Sequence, residues 1–276
     1  VDIPFGGGKG GVVVDTRDLS AGELERLSRV FAASIADVIG ENKDVPAPDM
    51  YTNQQVMAWM LDEYRRVSGN NSLAVFTGKP LEMGGSEGRT EATGLGGVYV
   101  LEEMAKTVGF SPAKTRIAIQ GMGNVGYYFA KLAKEAGYRV VALSDSKGGV
   151  NNGEGLDIEG VMAYKEEKGS LEGCKSGRQI TNDELLELEV EVLVPAAVES
   201  VIRLDNAEKI KAKYIVEMAN GPVDPQADDI LWSREIVSIP DVLANAGGVT
   251  VSYFEWKQNV DNEKWSGREV YEKLEA

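Results

Sequence analysis

A single lysine lies within a run of glycines near the start of the chain, and the sequence contains no histidine. Lys9 occupies the segment PFGGGKGG, in which five glycines surround it. Because glycine carries no side chain, a small substrate can approach the lysine ammonium closely. Without imidazole, a general acid or base that works near neutral pH must be a Lys, Asp, Glu, Tyr or Cys shifted by its surroundings. Lys9 is therefore a candidate catalytic residue, although a glycine-rich turn with a solvated lysine explains the same residues.

A second glycine-rich segment, GMGNVG at residues 121–126, has the spacing GxGxxG. It follows a predicted strand and begins a predicted helix, and Asp145 ends the next predicted strand about 20 residues later. In such a turn the glycines let the backbone approach a pyrophosphate, and the N-terminus of the helix supplies N–H groups. A tight strand-to-helix turn without a ligand is the alternative. We predict a dinucleotide site at Gly121, Gly123, Asn124, Val125 and Gly126.

The choice between NAD and NADP stays open at the end of the second strand. Asp145 could accept a hydrogen bond from a ribose hydroxyl, which would favour NAD. Ser146 and Lys147 could instead hold a 2′-phosphate, which would favour NADP. Asp145 is equally compatible with a structural role in the turn, so the predicted cofactor is NAD or NADP.

Short apolar segments alternate with helical patterns, which predicts an α/β fold with a parallel, doubly wound sheet. Residues 76–94, rich in Gly, Thr and Ser, are predicted to form a loop. Strands are predicted at 12–14, 116–120, 138–143, 190–194, 214–217 and 236–239. Helices are predicted from a capping box at Ser20 to about Gly40, and at 53–67, 98–105, 125–136, 159–168, 206–212, 248–259 and 266–274.

Composition narrows the class of protein. The 276 residues suffice for one large or two ordinary domains, and the formal net charge of −15 argues against nucleic acid or an anionic membrane as a partner. Cys174 is the single cysteine, which excludes an internal disulfide and favours a reducing, cytoplasmic compartment. No apolar run approaches about 18 residues, so no membrane span is predicted, and no metal site is predicted. The chain begins at Val1 and is expected to be a piece of a longer protein.

Eight motifs together carry a resemblance to a known family. In order, they are PFGGGKGG, VPAPDMYTN, TGKPLEMGGSEGRTEATGLGG, IQGMGNVG, SDSKGG, LVPAAVE, ANGPV and LANAGGVTVSYFEW. This order resembles that of hexameric glutamate dehydrogenases, in the Glu/Leu/Phe/Val dehydrogenase family. The resemblance covers nearly the whole chain, and eight ordered motifs are far more specific than any one of them.

The resemblance implies reversible oxidative deamination of L-glutamate to 2-oxoglutarate and ammonia with NAD or NADP. It implies a Rossmann-type dinucleotide-binding domain at 86–250 and a partial α/β substrate domain at 1–85. C-terminal helices at 251–276 would return to the substrate domain. It also implies a homo-oligomer, which is a hexamer in the family.

The resemblance assigns the two catalytic roles. The lysine of GGGKGG polarises the substrate carbonyl or imine in the family, and it is Lys9 here. The aspartate of the PAPD segment shuttles protons to the amino group, and it is Asp49 here, which could otherwise form a turn after proline. A lysine enclosed among glycines in a closing cleft is expected to lose water, so that it exchanges protons near neutrality.

The resemblance also assigns cofactor contacts outside the glycine-rich turn. Thr93 and Asn245 look like the residues that meet the nicotinamide carboxamide, although both could be helix-cap or turn residues. Asn124 is expected on the pyrophosphate or nicotinamide-ribose side. Asn220 belongs to another loop on the cofactor side.

Substrate choice rests on the segment VTVSYFEW. Ser252 corresponds to the serine that contacts the side-chain carboxylate of glutamate. Arg89 fits the family's arginine near the substrate mouth, although a cation that flanks the N-terminus of a helix is the alternative. Relatives that act on leucine, valine or phenylalanine need an apolar pocket instead, so the resemblance favours glutamate. Two further substrate lysines of the family would lie upstream of GGGKGG and are not in this sequence. A catalytically silent NAD(P)-binding fragment and a branched-chain or aromatic amino-acid dehydrogenase therefore stay as alternatives.

Overall fold

The computed structural model describes residues 2–276. The chain forms two compact units, the sheet unit of Thr90–Gly248 and the helical unit of Asp2–Arg89 with Val249–Ala276. The α-helices are α1 Ala21–Ile35, α2 Gln54–Ser68, α3 Ala92–Val108, α4 Asn124–Glu135, α5 Ile158–Lys168, α6 Asn182–Leu186, α7 Pro225–Ser233, α8 Asp241–Ala244, α9 Gly247–Asp261 and α10 Gly267–Glu275. The strands are β1 Arg116–Gln120, β2 Arg139–Asp145, β3 Gly148–Asn151, β4 Arg178–Ile180, β5 Val192–Pro195, β6 Tyr214–Val216 and β7 Val237–Ile239.

The sheet unit is a seven-stranded sheet in the order β4-β3-β2-β1-β5-β6-β7. Strands β1, β2, β5, β6 and β7 run parallel, with Ile119 opposite Leu143 on one side and Val194 on the other. Burial on both faces explains the continuous apolar sequence of β1 and β5. The predicted doubly wound α/β fold is confirmed.

Alternation along β1 shows how helices cover the two faces. Ile117 and Ile119 belong to a core cluster that includes residues of α3, α4 and α5. Ala118 belongs to a second cluster that includes residues of α6 and α7. Because successive strand side chains point to opposite faces, these clusters lie on the two sides of the sheet.

Strands β3 and β4 were not predicted, and both are antiparallel to their neighbours. The glycines of the segment DSKGGV indicate a turn in the sequence, but they are required for close pairing. A Cβ on Gly149 would lie 2.5 Å from the carbonyl oxygen of Leu143. Glycine here permits strand pairing and does not end it.

Two predicted elements are wrong. The helix expected at 206–212 is a short 3₁₀ turn at Ala207–Lys209, because Ile210 and Ala212 are already buried in an extended segment. The strand expected at 12–14 is not formed within the described residues, and the side chain of Val13 is fully exposed. A β-branched run favours a strand only when another strand pairs with it.

The helical unit is built on the packing of α1 against α2, with Ala32, Met57, Leu61 and Phe76 at its centre. The predicted capping box is present: the Ser20 hydroxyl accepts from the Glu23 amide, and the Glu23 carboxylate accepts from the Ser20 amide. No helix within residues 2–276 combines the length and apolarity required to cross a bilayer.

The N-terminal segment is held against α9 by aromatic contacts. The Phe5 ring meets Tyr253 edge-on at a centroid distance of 5.6 Å and Trp256 at 5.8 Å. The Trp256 indole in turn donates to the carbonyl oxygen of Glu41 at 2.8 Å. These contacts fix one end of the glycine-rich segment that carries Lys9.

Glycine 94 allows α3 to approach α4 closely, and its replacement tests that packing. A Cβ at this position would lie 2.6 Å from the Phe129 backbone nitrogen, which cannot move without shifting α4. We expect Gly94→Ala to lower the free energy of unfolding by about 1–3 kcal/mol. Urea denaturation followed by circular dichroism measures the change.

Gly153→Ala is the matched control, because a Cβ there meets nothing within 4 Å. We expect that variant to be neutral or stabilised by up to about 1 kcal/mol. Equal losses in both variants would contradict the close helix packing.

Candidate active site

Lys9 and Asp49 come from loops 40 residues apart and form an ion pair in the helical unit. The Asp49 side chain is held in place by its own turn. Its Oδ1 accepts from the Met50 amide at 2.7 Å, and its backbone N–H donates to the Thr52 hydroxyl at 2.7 Å. Tyr51 in this turn has φ of +62°, a conformation that a bulky side chain rarely adopts.

The Lys9 ammonium, and next the Met50 amide, lower the pKa of the Asp49 carboxyl below its ordinary value. Asp49 is consequently ionised at neutral pH and can accept a proton. The lysine beside it offers N–H donors to an oxygen atom. The pair thus combines a base with a cationic hydrogen-bond donor.

The expectation of a desolvated lysine is not met within the helical unit. The Lys9 side chain is 77% exposed and the Asp49 side chain 53% exposed. Added Cβ atoms on the five surrounding glycines would meet nothing within 4 Å, so this segment cannot cover the ammonium itself. Because the glycines around Lys9 have no side chains, a substrate can reach the ammonium, and so can water.

A second charged pair in the helical unit is completely buried. The Lys79 ammonium donates to Glu255 at 2.6 Å, and both side chains have 0% exposure. Glu255 also accepts from the Gly78 amide at 2.9 Å, and Lys79 donates to the carbonyl oxygen of Phe76. Burial lowers the pKa of Lys79, while the Glu255 carboxylate opposes that shift.

Of the buried polar atoms near Glu255 that have no hydrogen-bond partner in the described part of the chain, three can donate. They are Thr77 Oγ1, Arg89 Nε and Ser252 Oγ. Thr77 precedes the loop that binds Glu255, Ser252 lies one turn before it in α9, and Arg89 interacts with its charge. Buried polar groups are normally satisfied, so these three are suited to a polar ligand.

The glycine-rich turn of the sheet unit fits a pyrophosphate. Gly121 has φ of +105° and lies so close to residue 196 that a Cβ would be 2.8 Å from the Ala196 carbonyl carbon. A Cβ on Gly126 would lie 1.9 Å from the Gly121 oxygen, whereas one on Gly123 would meet nothing within 4 Å. Two glycines are thus needed for packing, and the middle one faces open space.

The first turn of α4 leaves its amides available. Gly123 is the N-cap, and no side chain in residues 2–276 caps the helix. The N–H groups of Asn124 and Val125 therefore point out of the helix without an intrahelical acceptor. Such a helix end binds phosphate oxygens well.

Asp145 ends β2 as predicted, but its carboxylate is already engaged by the protein. One oxygen accepts from the Lys147 amide at 2.8 Å and the other from the Leu171 amide at 2.7 Å. Its side chain is buried, whereas Ser146 and Lys147 are exposed. These contacts match the structural role that the sequence leaves open.

Three further predicted cofactor residues, Thr93, Asn220 and Asn245, lie in segments linked to the glycine-rich turn or to α3. The Asn124 side chain donates to the Thr90 carbonyl oxygen at 2.7 Å, just before the first turn of α3 that contains Thr93. The Asn245 amide donates to the Asn220 side chain at 2.8 Å. A Cβ on Gly247 would lie 2.3 Å from the Ala92 oxygen, which brings the Asn245 loop next to α3.

Sequence reasoning missed Glu217, which follows β6 and precedes the Asn220 loop. Its side chain is 8% exposed and accepts from the Ser238 hydroxyl at 2.6 Å. Burial raises its pKa, and the hydrogen bonds from Ser238 and the Asp241 amide reduce that shift. The only signal in the sequence is an acidic residue directly after an apolar strand.

Comparison with known proteins identifies two family matches. The model described as Glutamate/Leucine/Phenylalanine/Valine dehydrogenase matches residues 84–276. The model described as Glu/Leu/Phe/Val dehydrogenase, dimerisation domain, matches residues 1–66.

Three curated relatives align with essentially the whole chain. The glutamate dehydrogenase of Thermotoga maritima is 53% identical over 100% of this chain and 66% of its own length. The cryptic catabolic NAD-specific glutamate dehydrogenase of Bacillus subtilis is 50% identical over 100% of this chain and 64% of its own length. The NADP-specific glutamate dehydrogenase of Synechocystis is 48% identical over 99% of this chain and 66% of its own length. The chain thus spans about two thirds of the length of the curated relatives it matches.

Solved structures agree with this fold. The hetero-hexameric glutamate dehydrogenase of Thermus thermophilus, in its Leu-bound form, superposes with a TM-score of 0.94 at 42% identity. The alignment covers 99% of this chain and 65% of that one. Glutamate dehydrogenase from Peptoniphilus asaccharolyticus gives a TM-score of 0.82 at 41% identity, with 99% and 66% covered.

Breaking the buried Lys79–Glu255 pair should destabilise the helical unit strongly. In Glu255→Leu the Lys79 ammonium stays buried without its carboxylate, which typically costs about 3–5 kcal/mol. Asp261→Asn, which breaks the exposed Lys257 pair on the same helix, should cost at most about 1 kcal/mol. Urea denaturation of both variants measures the difference, and a small loss in Glu255→Leu would contradict this account.

The raised pKa of Glu217 makes stability depend on pH. The folded protein holds the Glu217 proton more tightly than the unfolded chain, whose Glu pKa is near 4.5. Stability from this group should therefore fall as pH rises above that value and through the folded pKa.

Glu217→Gln removes this dependence, and Ser238→Ala, which loses a donor to the carboxylate, should make the fall steeper. The unfolding midpoint of the three proteins measured from pH 5 to pH 9 tests this. A Glu217→Gln curve parallel to that of the parent would refute the assignment.

Proposed function

Because the chain belongs to the Glutamate/Leucine/Phenylalanine/Valine dehydrogenase family, we propose that the protein containing it oxidatively deaminates L-glutamate, reversibly, with NAD or NADP. The products are 2-oxoglutarate, ammonium and the reduced cofactor, with water consumed and a proton released. The observation that carries the proposal is the contact between Lys9 and Asp49, a cation and a base of the types that this reaction needs.

Asp49 is proposed to transfer protons, and Lys9 to stabilise the negative charge that develops on the substrate oxygen. Asp49, ionised beside the lysine, accepts a proton from the substrate ammonium. The Lys9 ammonium donates a hydrogen bond to the oxygen that develops at the α-carbon as water adds. When bound, the cofactor would accept the hydride that leaves this carbon before water adds to it.

The unsatisfied atoms around Glu255 support an acidic substrate. The Ser252 hydroxyl and the Arg89 Nε are buried donors, and an apolar leucine, valine or phenylalanine side chain would leave both unpaired. A second carboxylate would accept from them. Thr77 adds a third polar atom to this proposed substrate region, which the sequence interpretation did not include.

The turn at 121–126 and the free amides of α4 are proposed to hold the cofactor pyrophosphate. Thr93, Asn220 and Asn245 are proposed to meet the nicotinamide side. Asp145 anchors its turn, and its remaining lone pairs, with exposed Ser146, are proposed to face the adenosine ribose. One relative is NAD-specific and another NADP-specific, so both cofactors belong to the proposal.

The organisation of the whole protein is proposed by the same reasoning. Residues 86–250 form the dinucleotide-binding domain, and residues 1–85 with the helices of 251–276 belong to the substrate domain. A hexamer is supported by the hetero-hexameric relative and by the dimerisation-domain match at 1–66. The single cysteine supports a cytoplasmic location.

Replacing the two catalytic residues tests the proposal. Lys9→Met and Asp49→Asn should each reduce kcat for L-glutamate by at least about 100-fold, since general acid–base groups contribute that much. The dissociation constant for NAD or NADP should stay within about two-fold, as neither residue lies in the sheet unit. Initial rates and isothermal titration calorimetry measure both quantities.

Lys43→Met is the control, because Lys43 is an exposed lysine that donates to the Asp37 carbonyl oxygen in the same unit. It should retain parental kcat. The same assay with L-leucine, L-valine and L-phenylalanine tests the substrate. Preference for one of these three amino acids would reject glutamate as the substrate. Undiminished activity in Lys9→Met would reject the catalytic assignment of Lys9.

A further inference from the structure

The side chain of a lysine in α5 forms a hydrogen bond with the main chain of the glycine-rich turn. The Lys165 ammonium donates to the carbonyl oxygen of Met122, between Gly121 and Gly123. Lys165 lies in the last turn of α5 and is half-buried. No carboxylate of residues 2–276 forms an ion pair with Lys165, whereas Lys168 of the same helix pairs with Glu167.

The other anchors of this turn act on its ends. The Gly121 amide donates to the Ser144 carbonyl oxygen at 3.0 Å, which fixes the exit from β1. The Met122 side chain is 1% exposed and packs in the core of the sheet unit. The Tyr127 amide donates to the Gly123 carbonyl oxygen at 2.9 Å, which holds the following peptide. None of these contacts engages the C=O or the N–H of the peptide plane that joins Met122 to Gly123.

Lys165 does fix that plane. A trans peptide is planar, with its C=O and N–H pointing in opposite directions. A donor on the Met122 carbonyl therefore sets the direction of the Gly123 N–H. That N–H has no acceptor in the described residues, and Gly123 faces open space.

We propose that Lys165 is a positioning residue for the dinucleotide site, which fixes this peptide plane so that the Gly123 N–H points at the cofactor pyrophosphate. The inference rests on the proposed cofactor site and deepens it. Glycine, with no Cβ to restrict its backbone, would otherwise let this peptide rotate.

Binding measurements on variants of this lysine test the proposal. Lys165→Met should weaken NAD or NADP, and also ADP-ribose, by about ten-fold, the effect of one hydrogen bond to a charged group. Adenosine, which lacks the pyrophosphate, should bind as to the parent. Lys165→Arg, which keeps charge and donors, should recover most of the loss, and Lys165→Gln, which keeps a neutral donor, should recover part.

Lys168→Met is the matched control, because Lys168 ends the same helix and pairs only with its exposed neighbour Glu167 among the described side chains. It should change each dissociation constant by less than two-fold. Calorimetric titration, with unfolding midpoints to verify folding, gives every value. Parental ADP-ribose affinity in Lys165→Met, or an equal loss in Lys168→Met, overturns the role of Lys165.

A different result would overturn the proposed function itself. If the parent protein binds neither NAD, NADP nor ADP-ribose, the cofactor site is wrong and the role of Lys165 falls with it. If the parent binds them and Lys165→Met loses adenosine affinity equally, the lysine supports the fold and not the pyrophosphate contact. The Lys165→Gln variant keeps the test valid if Lys165→Met does not fold.

Discussion

The buried ion pair of Lys79 and Glu255 joins the two parts of the chain that form the helical unit. Residues 2–89 and 249–276 are distant in sequence, and this pair, with the Gly78 amide on the same carboxylate, links them where water is excluded. Two charges without water are unfavourable unless both are fully hydrogen-bonded. The Phe76 carbonyl and two backbone amides provide those bonds, so the loop must adopt one conformation. That conformation places Thr77 beside the helix that carries Ser252.

Close backbone approach is the equivalent constraint in the sheet unit. Gly94, Gly96 and Gly97 lie on α3 where added Cβ atoms would overlap α4, Gly247 and Met218. Replacement of Gly94 would push α3 away from α4, and replacement of Gly96 would push it away from the backbone that follows Asn245. Glycine weakens a helix by roughly 1 kcal/mol per residue, and in α3 that loss accompanies close contact with α4 and with Gly247.

The sequence predicted the elements whose pattern is local. The parallel strands, α4 with its glycine-rich turn and the capping box of α1 all follow from residues within one or two turns of each other. The segment containing β3 was not predicted, since paired glycines indicate a turn unless a neighbouring strand is known. The meeting of Lys9 with Asp49 came from family resemblance, and local patterns alone could not provide it. Lys79, Glu255 and Lys165 resemble ordinary surface charges in the sequence, and only the fold shows that the first two are buried and that Lys165 binds the Met122 carbonyl.

Charged side chains in both units form hydrogen bonds with the backbone of loops. Lys79 binds the Phe76 carbonyl, Lys165 binds the Met122 carbonyl, and Asp145 binds two amides. A loop of glycines has many accessible conformations, and ordering it costs about 1–2 kcal/mol per residue. Charged hydrogen bonds to its main chain offset that cost before a ligand arrives, because they persist in the free protein. Glycines leave such a loop open to a ligand but flexible. Hydrogen bonds from the charged side chains around it fix its conformation.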